Sequence, residues 1–265
     1  MSAAAAASLL PARRWAARAG LAAFSLLLLY PFAGLIVPVG RWLWGGPVPH
    51  STAAAVEVSL GWTAAAMLLV AALGTPVAGY LARCRGRERL LWEAPILISV
   101  LLPPLALGIL LSLAFGPNLR LGQWLLRWGV PMSNSVPAFI ATQFYVSIGY
   151  YIIAARAALA AVPRELEATA ALLGQSPAQV FRRVTFPLAR LGLAAALSLA
   201  WVRALGELGA VLVTAYYPAG MPVQIWINLQ DAGMPAVMPL LVIFLLTALP
   251  LPWLLQLLAA RRQSA

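Results

Sequence analysis

Apolar residues fill this chain in long continuous blocks rather than in the narrow stripes of a water-soluble helix. Six blocks are each long enough to cross a bilayer as a helix: Leu21–Val39, Val56–Leu81, Ala94–Phe115, Val136–Ala161, Leu188–Val213 and Ala236–Ala260. Gly45, Gly46, Pro47 and Pro49 mark a loop ending at His50, and Gly116-Pro117 opens a second loop that reaches Ser135. Arg13, Arg14 and Arg18 precede the first block in the manner of a signal peptide. That block is long for a signal core, and no small-residue cleavage site plainly follows it, so it reads as a retained span. Continuous rather than alternating hydrophobicity favours helices over a barrel. The expectation is an all-α membrane protein with six transmembrane helices, a single domain over residues 1–265.

One interval breaks the pattern. Residues 162–187 are amphipathic and charged, and their punctuation predicts two short helices joined by a turn. Pro163 suits a helix start, and Glu165 and Glu167 follow near the positive end of the dipole. Leu166, Ala170 and Leu173 recur at helical spacing as one apolar face. Gly174 supplies the left-handed residue that stops this helix. Ser176 and Gln179 have capping-box spacing around Pro177, and Pro187 is expected to end the second helix after Arg182 and Arg183. A greasy-faced helix pair between two spans predicts a docking surface for a partner.

The composition agrees with a membrane protein: 63% hydrophobic and 9% charged residues, with a mean hydropathy of +0.88. A net charge of +11 raises nucleic acid as a partner, but the arginines sit in short clusters between spans. Thirteen fall on the side of both termini and of the 162–187 loop, against Arg41, Arg120 and Arg127 on the other. The positive-inside rule therefore puts both termini and that loop in the cytoplasm, and no nucleic acid is needed. Arg156 and Arg203 lie within apolar runs. One cysteine, Cys84, and one histidine, His50, exclude an intrachain disulfide and leave too few ligands for a metal site. No cofactor is implied.

Three features place chemistry inside the membrane. Pro103-Pro104 interrupts the third block, either as backbone lining a wet cavity or as a packing kink. Thr142-Gln143 and the polar run Tyr145, Ser147, Tyr150 and Tyr151 lie in the fourth, where interhelical hydrogen bonds explain most such residues. Arg203 and Glu207 stand four residues apart on one helix face, about 20 Å beyond Arg190 at helical rise. Ionisable groups at that depth face the interior and pair. The pair is either a neutralised strut in the bundle or a polar element beside a transport path.

The 162–187 interval resembles the cytoplasmic EAA loop of binding-protein-dependent ABC importer permeases. Gly174, Val184, Phe186 and Pro187 fall at that motif's Gly, Ile, Leu and Pro. Ala168-Thr169-Ala170 stand where it has Glu-Ala-Ala, and Glu167 lies one residue early. Arg203–Ala210, R-A-L-G-E-L-G-A, and the L-P-P-x-x-x-G of Leu102–Gly108 resemble the molybdate, tungstate and sulfate group. A-Y-Y-P (Ala215–Pro218) and P-V-Q-I-W (Pro222–Trp226) look most like its molybdate/tungstate branch.

The resemblance implies a type I importer permease, multi-pass in a bacterial or archaeal inner membrane. It would work as a homodimer with two cytoplasmic ATPase subunits and an external substrate-binding protein. It assigns ATPase coupling to Leu166, Glu167, Ala170, Leu173, Gly174, Val184 and Pro187. The translocation path is expected at Pro103, Pro104, Thr142, Gln143, Arg203 and Glu207. A sulfate or other small-solute importer is the alternative. The chain has no G-x-x-x-x-G-K-[ST], so ATP must be handled by another subunit. An intramembrane protease would need H-E-x-x-H or G-x-S-x-G, and neither occurs. A stand-alone channel or carrier would have no use for the docking loop.

Overall fold

The computed structural model describes residues 3–43 and 49–248, and among these the chain is helical with no strand. The helices are α1 (Ala3–Ala33), α2 (Ile36–Leu43), α3 (Ser51–Arg83), α4 (Gly86–Leu101), α5 (Pro104–Phe115), α6 (Arg120–Arg127) and α7 (Val136–Ala160). There follow α8 (Arg164–Leu172), α9 (Pro177–Val180), a π-helical turn (Phe181–Thr185), α10 (Phe186–Leu205), α11 (Gly209–Thr214), α12 (Met221–Ala232) and α13 (Met234–Ala248). The described residues of the six apolar blocks are helical apart from the terminal Ala161 and breaks at 34–35, 102–103 and 206–208. Residues 44–48 of the first loop and 249–260 of the last block lie outside the described residues.

The core is a three-helix packing of α3, α7 and α10. Ala66, Val70 and Ala78 of α3 meet Tyr151, Ala155 and Leu159 of α7 and Ala189, Ala196 and Ala200 of α10, all buried. The interface is rich in small residues, as expected where close van der Waals contact rather than water expulsion holds helices together. A methyl group on Gly74 would lie 2.6 Å from the Tyr151 ring, and one on Gly192 would lie 2.5 Å from Ala158 Cβ. Large side chains point outward instead, including Leu68, Leu73, Leu110 and Leu113. A helix bundle clothed in leucine is suited to lipid rather than to water.

Length and composition make α3, α7 and the rod Pro177–Leu205 membrane-crossing helices. The segments Arg18–Ala33 and α13 are shorter apolar helices. The third block is not a straight span. Leu102 and Pro103 are extended, and α4 and α5 meet at a bend of 111°. Two consecutive prolines explain this: neither can donate to a helical ladder, and the second forces its predecessor out of the helical region.

The fifth block also departs from expectation at both ends. Pro187 does not terminate a helix; it sits in the first turn of α10, within a continuous 29-residue rod. The π turn makes room for it: the Phe186 N–H donates to Phe181 O, five residues back. At the far end the helix stops at Leu205, and α11 starts afresh at Gly209. An added helix, α12, was not expected from the sequence. It is tied to α3 by the Met221 N–H, which donates to Ser59 Oγ at 2.6 Å.

Candidate functional site

Two places gather the residues singled out by sequence. The first is the loop after α7. Pro163 is extended and caps α8 rather than starting it, one residue earlier than expected. The helix ends in a full Schellman motif: the Gly174 N–H donates to Ala171 O and the Gln175 N–H to Ala170 O. Gly174 has φ +83°, the left-handed conformation its sequence position predicts. Ser176 Oγ then accepts from the Gln179 N–H while Gln179 Oε1 accepts from the Ser176 N–H, a reciprocal capping box. Both turns are thus locked by local chemistry.

The apolar face of α8 is divided. Ala170 is buried, whereas Leu166 and Leu173 protrude, and Leu172, which periodicity did not single out, is the most exposed at 89%. Glu167 faces inward. Its Oε1 accepts from Arg83 Nη2 at 2.5 Å and from Thr185 Oγ1 at 2.7 Å, joining α8 to the end of α3 and to the π turn. A cleft of about 590 Å³ opens beside it, lined by Gly79, Arg83, Leu159, Gln175 and Phe181 among others. Val184 is half-buried, and Pro187 is exposed on the adjoining surface. The loop therefore presents bare leucines on a platform pinned to the spans through one carboxylate.

The second place is where the two broken helices meet. A methyl group on Gly209, the first residue of α11, would lie 3.1 Å from both Pro104 Cβ and Leu105 N at the start of α5. One on Gly108 would lie 2.7 Å from Ala210 Cα. Glycine at these two positions is what lets the backbones touch. Glu207 lies in the second break, 2% exposed. Its Oε2 accepts from Arg203 Nη1 at 2.5 Å, and its Oε1 accepts from the Ala210 N–H at 2.7 Å. The Arg203 guanidinium also stands 5.6 Å over the Tyr150 ring. The expected ion pair is real, and it doubles as the cap of α11.

Thr142 is buried at this junction, and Gln143 is buried beside it on α7. Thr142 Oγ1 lies 2.7 Å from Thr214 Oγ1 of α11, a partner no sequence signal had marked. Gln143 Oε1 has no hydrogen-bond partner among the described residues. Pro103 is exposed and Pro104 half-buried at the bend. Five of the six expected path residues thus lie around α11 and its contacts with α5 and α7, with Gln143 beside Thr142 on α7.

Residues 74–264 match the family described as binding-protein-dependent transport system inner membrane component, which covers both places. The chain belongs to this family of importer permeases. It is 36% identical over 223 residues, 81% of this chain and 80% of the relative, to a probable molybdenum ABC transporter permease protein of Haloferax volcanii. It is 34% identical to the molybdenum transport system permease protein ModB of Mycobacterium tuberculosis, over 70% of this chain and 72% of that one. It is 30% identical to the molybdate/tungstate transport system permease protein WtpB of Thermococcus kodakarensis, over 76% and 77%. In fold it is similar to the crystal structure of a bacterial ABC transporter involved in the import of alginate. There the TM-score is 0.69 at 15% identity, over 94% of this chain and 96% of that one. The inward-facing MetNI methionine transporter gives 0.58 at 19% identity, over 78% and 92%. The permease is accordingly a multi-pass inner-membrane component of a binding-protein-dependent transport system, a transmembrane subunit rather than an enzyme.

Proposed function

We propose that the permease moves molybdate or tungstate into the cytoplasm as a homodimer, with both termini and the α8–α9 loop on the cytoplasmic side. The observation that carries the anion is the agreement of three relatives, each at 30% identity or more and each named for molybdenum, molybdate or tungstate transport. Leu166, Leu172 and Leu173 form the surface that enters the ATPase, and Glu167 passes its displacement to α3 and the π turn. Gly174, Val184 and Pro187 hold that platform in shape. The path for the anion runs by the broken helices, with Pro103, Pro104, Arg203 and Glu207 at the break and Thr142 and Gln143 behind it.

The chemistry suits a doubly charged oxyanion. Such an ion loses a large hydration energy on entering a bilayer, so its path must be wet or offer donors. A strong fixed cation would hold it too well, because transport needs sites that release. Glu207 tempers Arg203 without removing it. The test is ATP-driven uptake in vesicles carrying the permease, its ATPase and its binding protein. Uptake of molybdate should be competed by tungstate and spared by sulfate in equal excess. Equal competition by sulfate would contradict the assigned anion.

A further inference from the structure

Arg156 lies in an apolar run of α7, and neither the loop nor the broken-helix junction uses it. It stands four residues before the end of α7, about 6 Å along the axis, which is the depth of lipid headgroups if that end meets the membrane boundary. Among the described residues it has one polar contact: Nη1 is 3.1 Å from Glu93 Oε1 of α4. That same oxygen already accepts from Arg89 Nε at 2.8 Å. Two guanidiniums therefore share one carboxylate, leaving a positive charge and most of the Arg156 donors unanswered. Among the described residues no acid other than Glu93 pairs with either arginine: Glu88 accepts from Tyr80, and Glu167 pairs with Arg83. Arg85 and Arg87 are exposed at the same edge.

Beneath this charge runs an apolar cleft between α4 and α7, walled by Leu81, Ile96, Leu97, Ile152 and Ile153, with Glu93 and Arg156 at its polar end. No residue of α4 is buried, and Trp92, next to Glu93, is 58% exposed, as for an aromatic at the membrane boundary. A slot that is greasy along its length and cationic at its mouth matches a molecule with an acyl chain and an anionic head. We propose that this cleft binds an anionic phospholipid of the cytoplasmic leaflet. Its phosphate accepts from the Arg156 donors that Glu93 leaves free, and one acyl chain lies along the isoleucine wall. Basic pockets between spans are suited to such headgroups, and each arginine near the surface contributes about 1 kcal/mol, or about five-fold in occupancy. The site is independent of which anion the permease carries.

The test is native mass spectrometry of the permease–ATPase complex after equilibration with mixed phosphatidylcholine and phosphatidylglycerol vesicles. The wild type should retain phosphatidylglycerol in preference to phosphatidylcholine. Arg156→Gln should lower that retention about five-fold. Leu97→Trp, which fills the cleft at an exposed position and leaves every charge in place, should lower it similarly. Arg190→Gln, an equal loss of charge elsewhere, should not. Should Arg156→Gln fail to assemble, the Leu97→Trp comparison decides. Retention of both lipids alike, wild-type retention by Leu97→Trp, or an equal loss in Arg190→Gln would overturn the proposal. So would displacement of the lipid by millimolar sulfate, which would mark a simple anion site.

Discussion

Both carboxylate oxygens of Glu207 are committed, one to Arg203 and one to the Ala210 N–H. The two halves of the pair are therefore not equivalent under substitution. In Glu207→Gln the amide oxygen still accepts from the Ala210 N–H, so α11 keeps its cap, and Arg203 is left as a full cation. That variant should assemble and take up anion more slowly, because release from an unbalanced arginine is slow. In Arg203→Gln a carboxylate that is 2% exposed loses its cation. Removing one partner of a buried pair costs about 3–5 kcal/mol, so much of the protein should be lost before assembly. Uptake normalised to assembled complex separates transport from folding. Wild-type rates for both variants would make the pair a strut and nothing more.

At the scale of elements, the α8–Gly174–α9 unit was legible because its geometry is set locally. The left-handed glycine, the capping box and the two prolines each act within four residues; all stand as the spacing predicts except Pro163, which lies one position outside its helix. What periodicity could not supply is the third dimension. The inward turn of Glu167 depends on Arg83 and Thr185, 84 and 18 residues away, and the exposure of Leu172 depends on what α8 rests upon. The same limit explains Pro187. Read alone, a proline ends a helix; here a π turn in the preceding residues reroutes the ladder and the rod runs on. The break at Gly206–Leu208 and the Thr142–Thr214 contact likewise arise from packing between distant spans. The local character of the turn gives a prediction. Gly174→Val must hold a β-branched residue at positive φ, at about 1–2 kcal/mol or more. The spans should still insert, while ATPase association or uptake per ATP hydrolysed should fall several-fold. Normal coupled uptake by this variant would contradict the role given to the turn.

For the whole molecule, the proposed function makes the two places one mechanical chain. The exposed leucines stand on the helix that carries Glu167, Glu167 holds α3 through Arg83, and the rod Pro177–Leu205 runs from the loop to the Arg203–Glu207 break. Such a chain transmits ATPase motion only if the loop faces the cytoplasm, and that sidedness is the central claim. Cys84 reports on it. It follows Arg83, the residue bonded to Glu167 of the loop, and it is the one cysteine of the chain. Burial, reinforced by the Glu88 carboxylate, pushes its thiol above the ordinary range. The reactive thiolate is therefore scarce at neutral pH, and labelling should accelerate as pH is raised. The measurement is reaction of Cys84 with a membrane-impermeant maleimide at mildly alkaline pH, in intact cells and in inverted vesicles. The account predicts labelling in inverted vesicles and protection in intact cells; labelling from outside the cell would place the loop on the wrong face and contradict it.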